Sequence, residues 1–144
     1  LLFLLEGRLR TLSQATGIQT RLDVVGEAHL LTPDQNQQIL SLVHECLNNV
    51  QKHAQARTVS IRLEWRPEEL LLDIGDDGRG FDVQAAAPTG HYGLAMLREQ
   101  TTELGGHLTV ESNPGQGTRL LFAFPLKSTS AQARAAQRAI GSAL

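Results

Sequence analysis

Residues 59–81 constrain the fold more than any other stretch of this chain. Val59, Ile61, Leu63 and Trp65 alternate with polar residues, Pro67-Glu68-Glu69 turns the chain, and Leu70, Leu72 and Ile74 alternate again. Period-two alternation places one set of side chains on a buried face, so the two runs are partner strands of a sheet. The second strand runs straight into Gly75-Asp76-Asp77-Gly78-Arg79-Gly80-Phe81. A carboxylate at the buried end of a strand is costly unless a ligand or neighbour donates to it. Glycine there permits positive φ and close backbone approach to a ligand. Asp-Asp-Gly is equally compatible with a plain hairpin turn.

The rest of the chain supplies the elements that such a sheet needs. Residues 1–16 fit a helix stopped at Gly17, and the chain reads as a fragment whose first helix lacks its earlier turns. Ile18, Thr20, Leu22 and Val24 make another strand face. Thr32-Pro33-Asp34 starts a helix expected to reach about Ala54, with Thr32 as cap and Pro33 in the first turn. Residues 82–91 read as a loop, residues 92–104 as a helix ended by Gly105-Gly106. Leu108 and Val110, then Leu120, Phe122 and Phe124, give two further strands about the turn at residues 113–117. The order α-β-α-β-β-α-β-β predicts an α+β fold, with helices packed on one face of a mixed sheet. Residues 127–144, rich in Ala, Gln and Arg, fit either a short helix or a disordered tail.

At 144 residues, 41% hydrophobic and 19% charged, the chain is long enough for one domain with its own core. Its net charge of −2 gives no basic surface for nucleic acid. The single cysteine, Cys46, excludes an internal disulfide and suits a reducing compartment. Leu1-Leu2-Phe3-Leu4-Leu5 is far short of the ~20 apolar residues of a membrane span.

A second polar constellation lies on the long helix. At about 100° per residue, Ile39, Leu40, Val43, Cys46, Leu47, Val50 and Ala54 share a core arc. Glu45, Asn49, Lys52 and His53 form a stripe beside it. Glu and Asn oxygens suit a hard cation, and Lys and His suit phosphate. A solvated polar face is the plainer alternative, but asparagine has little reason to sit inside a helix unless its amide oxygen is used. Gly90-His91-Tyr92-Gly93-Leu94 precedes and opens a helix whose N-terminus offers free N–H groups to an anion. Thr118 follows a glycine turn at the start of the last strand, where it is either an ordinary strand residue or part of the same cavity.

Taken together, these segments resemble the ATP-binding domain of sensor histidine kinases. Glu45, Asn49 and Lys52-His53-Ala54 are similar to its asparagine box, and Asp76-Asp77-Gly78-Arg79-Gly80-Phe81 to its first glycine box. Residues 91–99 with Leu104-Gly105-Gly106 resemble the second glycine region, and Gly115-Gln116-Gly117-Thr118 the closing motif. His-Tyr-Gly-Leu and Lys-His-Ala look most like the nitrate/nitrite-sensor branch. The resemblance implies a two-layer α/β sandwich of the Bergerat (GHKL) type across residues 18–126, preceded in residues 1–17 by the end of a linker helix.

It further implies that Asp76 accepts from the adenine amino group, with Gly78 and Gly80 admitting backbone close to the base and Phe81 beside them. Thr118 would support Asp76 through water. Asn49 would bind Mg²⁺, Glu45 would act as base or orienter near the γ-phosphate, and Lys52 and His53 would touch phosphate. Gly90, His91, Tyr92, Gly93 and Leu94 would belong to the nucleotide lid, with His91 standing where many relatives have glycine. The implied cofactors are ATP and Mg²⁺. The implied partners are a dimerisation and phosphoacceptor domain of the parent protein and a downstream response regulator, in the cytoplasm, with a parent that can itself span the membrane. An anti-sigma-factor-type serine kinase, an ATP-driven clamp and a non-catalytic nucleotide-binding module are the competing readings.

Overall fold

The computed structural model describes residues 1–82 and 92–126. Helix α1, Leu2–Thr16, buries Leu5, Leu9 and Leu12, one side of the helix, and ends where the Gly17 N–H returns to the Ser13 carbonyl at 2.8 Å. Strand β1 is Gln19–Val25. Helix α2, Pro33–Asn49, starts in a full capping box. The Gln35 N–H donates to Thr32 Oγ1 at 3.1 Å, and the Thr32 N–H donates to Gln35 Oε1 at 3.0 Å. The helix expected to reach Ala54 is α-helical only to Asn49, and residues Val50–Ala54 continue it as a π-helical segment.

Four more strands and one helix follow. They are β2 (Thr58–Trp65), β3 (Glu69–Asp76), α3 (Tyr92–Glu103), β4 (His107–Ser112) and β5 (Thr118–Pro125). The sheet order is β1-β2-β3-β5-β4, with β1 and β2 parallel and every other neighbour antiparallel. A parallel pair needs a crossover, and α2 provides it. The expected element order and mixed sheet are therefore present.

Register explains the core. Ile61, Ile74, Leu120 and Val110 stand in one cross-strand row, and Leu63, Leu72, Phe122 and Leu108 in the next. Trp65, Leu70 and Phe124 form a third row. All are buried except Val110, which is partly covered. The helices lie on this face: α1 meets β1 and α2, and α3 meets α2 and β4. The reverse face is polar, with Arg119 bonded through two nitrogens to Asp73, and Glu64 paired with Arg62 and Arg66. Val24, expected on the core face, is 43% exposed because β1 is the edge strand and is covered from one flank only. Among the described residues no helix is long and apolar enough to cross a membrane.

Candidate functional site

The fourth cross-strand row breaks the apolar pattern. Val59 pairs with Asp76, Asp76 with Thr118, and Thr118 with Ser112. By alternation these side chains share the face of Ile74, Leu120 and Val110. The hydrophobic face thus ends in a carboxylate and two hydroxyls at one end of the sheet. An open depression of about 570 Å³ beside them is lined by Asp76, Ser112, Thr118, Asn113, Gln116 and Asp82, among others.

The two adjacent aspartates have different surroundings. Asp77 Oδ1 accepts the N–H groups of Arg57 and Thr58, each at 2.8 Å, so it fastens the start of β2. The Thr58 bond, with help from Arg57, holds its carboxyl below the usual range. Asp76 is half-buried, and burial raises its carboxyl above the usual range despite N–H donors from Gly78 and Thr118. The Gly78 N–H reaches Asp76 Oδ1 at 2.9 Å. An ionised carboxylate offers about four acceptor positions. Asp76 therefore keeps acceptor capacity that a ligand donor can use.

Two glycines let the loops close around this row. Gly117 has φ +75°, and a Cβ there would lie 2.1 Å from the Asp76 carbonyl oxygen. Gly80 has φ +61°, and its Cβ would lie 2.1 Å from the Asn113 carbonyl oxygen. Neither backbone tolerates a side chain. The close approach at Gly80 is to the β4–β5 turn, and Gly78 is buried with its N–H on Asp76. The Phe81 N–H donates to Ser112 Oγ at 2.9 Å, which ties the glycine loop to the end of β4.

The helix constellation sits at the other margin. Glu45 and Asn49 are half-buried and Lys52 is exposed. Among the described residues none of the three has a hydrogen-bond or ion-pair partner. The change from α to π geometry falls directly after Asn49. The wider π turn advances less per residue, so Lys52 and His53 do not keep the α-helical phase of Glu45 and Asn49. The backbone of His53 lies in that segment, and its side chain is outside the described residues. From there only residues 55–57 lead to β2, whose start Asp77 fastens. That short link brings the end of α2 to the same end of the sheet as Asp76.

The lid positions are mostly beyond what is described. Gly90 and His91 lie outside the described residues, and so does the side chain of Tyr92, whose backbone opens α3 with that of Gly93. Leu94 packs, partly buried, against the core. Cys46 is buried, and burial, aided by the Glu45 charge, raises its thiol far above the range of a nucleophile. His44 faces α1, where Arg8 Nη1 donates to its Nδ1 at 2.7 Å. His29 stacks on Trp65 with ring centroids 6.0 Å apart.

Sequence reasoning missed Ser112 and the separate duty of Asp77. Ser112 carries a usable signal: it continues the buried alternation of Leu108 and Val110 as a polar residue. Asp77 carries none, since its partners lie 19 and 20 residues away.

The comparisons with known proteins agree with this fold. Residues 34–128 match the family described as histidine kinase-, DNA gyrase B- and HSP90-like ATPases. The signal transduction histidine-protein kinase/phosphatase DegS of Brevibacillus brevis is 29% identical over 85% of this chain and 31% of its own length. The sensor histidine kinase YhcY of Bacillus subtilis is 35% identical over 69% of this chain and 26% of its own. The chain thus spans about a third or less of these relatives. The histidine kinase domain of the blue-light activated histidine kinase from Erythrobacter litoralis superposes with a TM-score of 0.69 at 25% identity, covering 84% of this chain and 59% of that one.

Proposed function

Because this chain belongs to the histidine kinase-, DNA gyrase B- and HSP90-like ATPases, we propose that it binds Mg-ATP and transfers the γ-phosphoryl group to a histidine on a separate domain of its parent protein. A response regulator then receives the phosphoryl group. The domain works in the cytoplasm, and α1 is the end of the linker helix from the dimerisation and phosphoacceptor domain.

The observation that carries this reading is the half-buried Asp76, held at the end of an apolar sheet face with acceptor capacity in reserve. Such a group pairs with the exocyclic amino group of adenine. Guanine has a carbonyl oxygen at that position, so binding it would leave Asp76 unpaired beside a second acceptor. Thr118 stands opposite Asp76 on β5, and on this reading Gly78, Gly80 and Phe81 lie beside the base.

Asn49 fits a magnesium ion. Its amide oxygen has no partner among the described residues, and a magnesium ion takes few protein ligands when nucleotide phosphates supply the rest. When bound, the ion offsets phosphate charge. Glu45 orients the attacking imidazole and takes its proton as nitrogen bonds to the γ-phosphorus and ADP leaves. Lys52 and His53 hold phosphate oxygens, and the segment containing Gly90, His91, Tyr92, Gly93 and Leu94 covers the nucleotide. The names of the relatives favour a histidine kinase over a serine kinase of the same superfamily.

Calorimetric titration of ADP and GDP, with and without Mg²⁺, tests the reading. Adenine-selective, magnesium-dependent binding is expected. Equal binding of the two nucleotides, or none, would sink it.

A further inference from the structure

Ser112 belongs to none of the segments on which the resemblance rests, yet its hydroxyl joins three partners at the site. It is 9% exposed, and its Oγ has three partners at 2.9 Å: Phe81 N, the Gly117 carbonyl and Thr118 Oγ1. The directions of these bonds follow from proton counting. A serine hydroxyl carries one proton; a backbone N–H can only donate and a carbonyl can only accept. The Ser112 proton therefore goes to Gly117. The bond between the two hydroxyls must then use the proton of Thr118.

We propose that Ser112 is a positioning residue for nucleobase recognition: by capturing the Thr118 hydroxyl proton it leaves Asp76 and Thr118 presenting only acceptors to the ligand. The inference rests on the adenine reading above and goes one step beyond it. Thr118 stands directly opposite Asp76, and its backbone N–H already reaches that carboxylate. A free Thr118 hydroxyl would turn and donate to the carboxylate as well. Asp76 would then be satisfied from within the protein, and a ligand amino group would gain less by binding it. The three bonds to Ser112 prevent this. The ligand class selected is a purine with a donor at the exocyclic position, in preference to one without it.

The test titrates ADP and the diphosphate of purine riboside, which lacks the exocyclic amino group, into wild type, Ser112→Ala and the double variant Ser112→Ala/Thr118→Val. Wild type is expected to prefer ADP. Ser112→Ala should cut that preference by about tenfold, the worth of one hydrogen bond to a charged group. Valine has no proton to give, so the double variant should regain the preference. If alanine does not fold, as judged by thermal melting, Ser112→Cys is read in the same way, alone and with Thr118→Val. A merely structural serine predicts that both nucleotides weaken equally with their ratio unchanged, which would overturn the proposal. So would a preference that stays low in the double variant. Failure of wild type to prefer ADP would remove the adenine reading before Ser112 is touched, and the inference would fall with it.

Discussion

Asp76 and Thr118 face each other across the β3–β5 ladder, two residues beyond the last apolar pair on the same face, Ile74 and Leu120. On that face the next pair inward is wholly hydrophobic and buried. The boundary between core and site is thus a single step of the sheet. Core packing on one side holds the carboxylate still, and the loops of Gly80 and Gly117 close the other.

Asp76→Asn should abolish adenine selectivity while keeping the fold, because the amide oxygen can still accept from Gly78. The loss of ADP affinity should be about 10- to 100-fold, as for a hydrogen bond to a charged group. The same change should raise the melting temperature of the nucleotide-free protein at neutral pH. The sign follows from linkage. Burial raises the folded-state pKa of Asp76, so its ionisation destabilises the fold as pH rises from the unfolded value, about 3.9, through the folded one. The advantage of asparagine should therefore vanish in acid, which melting curves from pH 3 to pH 8 would reveal.

Asp77→Ala should behave in the opposite way. The wild-type carboxylate is held below its usual pKa, so its stabilising effect is full above about pH 3.9 and lost as pH falls through the folded value. At this exposed position the cost at pH 7 should be about 1 kcal/mol. Urea titrations should show wild type and variant converging in acid. Adenine selectivity should change far less than in Asp76→Asn.

Asn49→Ala should uncouple magnesium from nucleotide. ADP titrations of wild type should tighten when Mg²⁺ is added, and those of the variant should tighten by at least about tenfold less. An undiminished magnesium effect would assign the ion to other ligands.

Glu45→Gln should separate chemistry from binding. Nucleotide affinity should be retained, while phosphoryl transfer to an added phosphoacceptor domain should fall by about 100-fold or more, the usual worth of a positioned base. Transfer at the wild-type rate would remove Glu45 from the chemistry.

Gly117→Ala should cost about 1–3 kcal/mol of stability, since φ +75° and a carbonyl oxygen 2.1 Å from the new Cβ force the turn away from Asp76. ADP affinity should fall with it, and Gly115→Ala, where φ is +78° but nothing lies within 4 Å, should cost less.

Much of this protein is written in local pattern. Alternation in residues 59–65 and 70–74 specified two strands and their buried face, because strand side chains alternate sides whatever the partner. Thr32 and Pro33 marked the start of α2, because capping is satisfied within one turn. The candidates Asn49 and Asp76 stood out in the sequence because each is a polar group where the local pattern calls for something else. Tertiary structure decided the rest. Which of two adjacent aspartates faces the site depends on the Arg57 and Thr58 N–H groups, brought to Asp77 by the pairing of β2 with β3. The π geometry after Asn49 was announced by no local spacing. Ser112 matters through Phe81, Gly117 and Thr118, 31, 5 and 6 residues away. Periodicity and capping act over a few residues and survive in the sequence alone, whereas a hydrogen bond between distant segments exists only once the sheet has set its register.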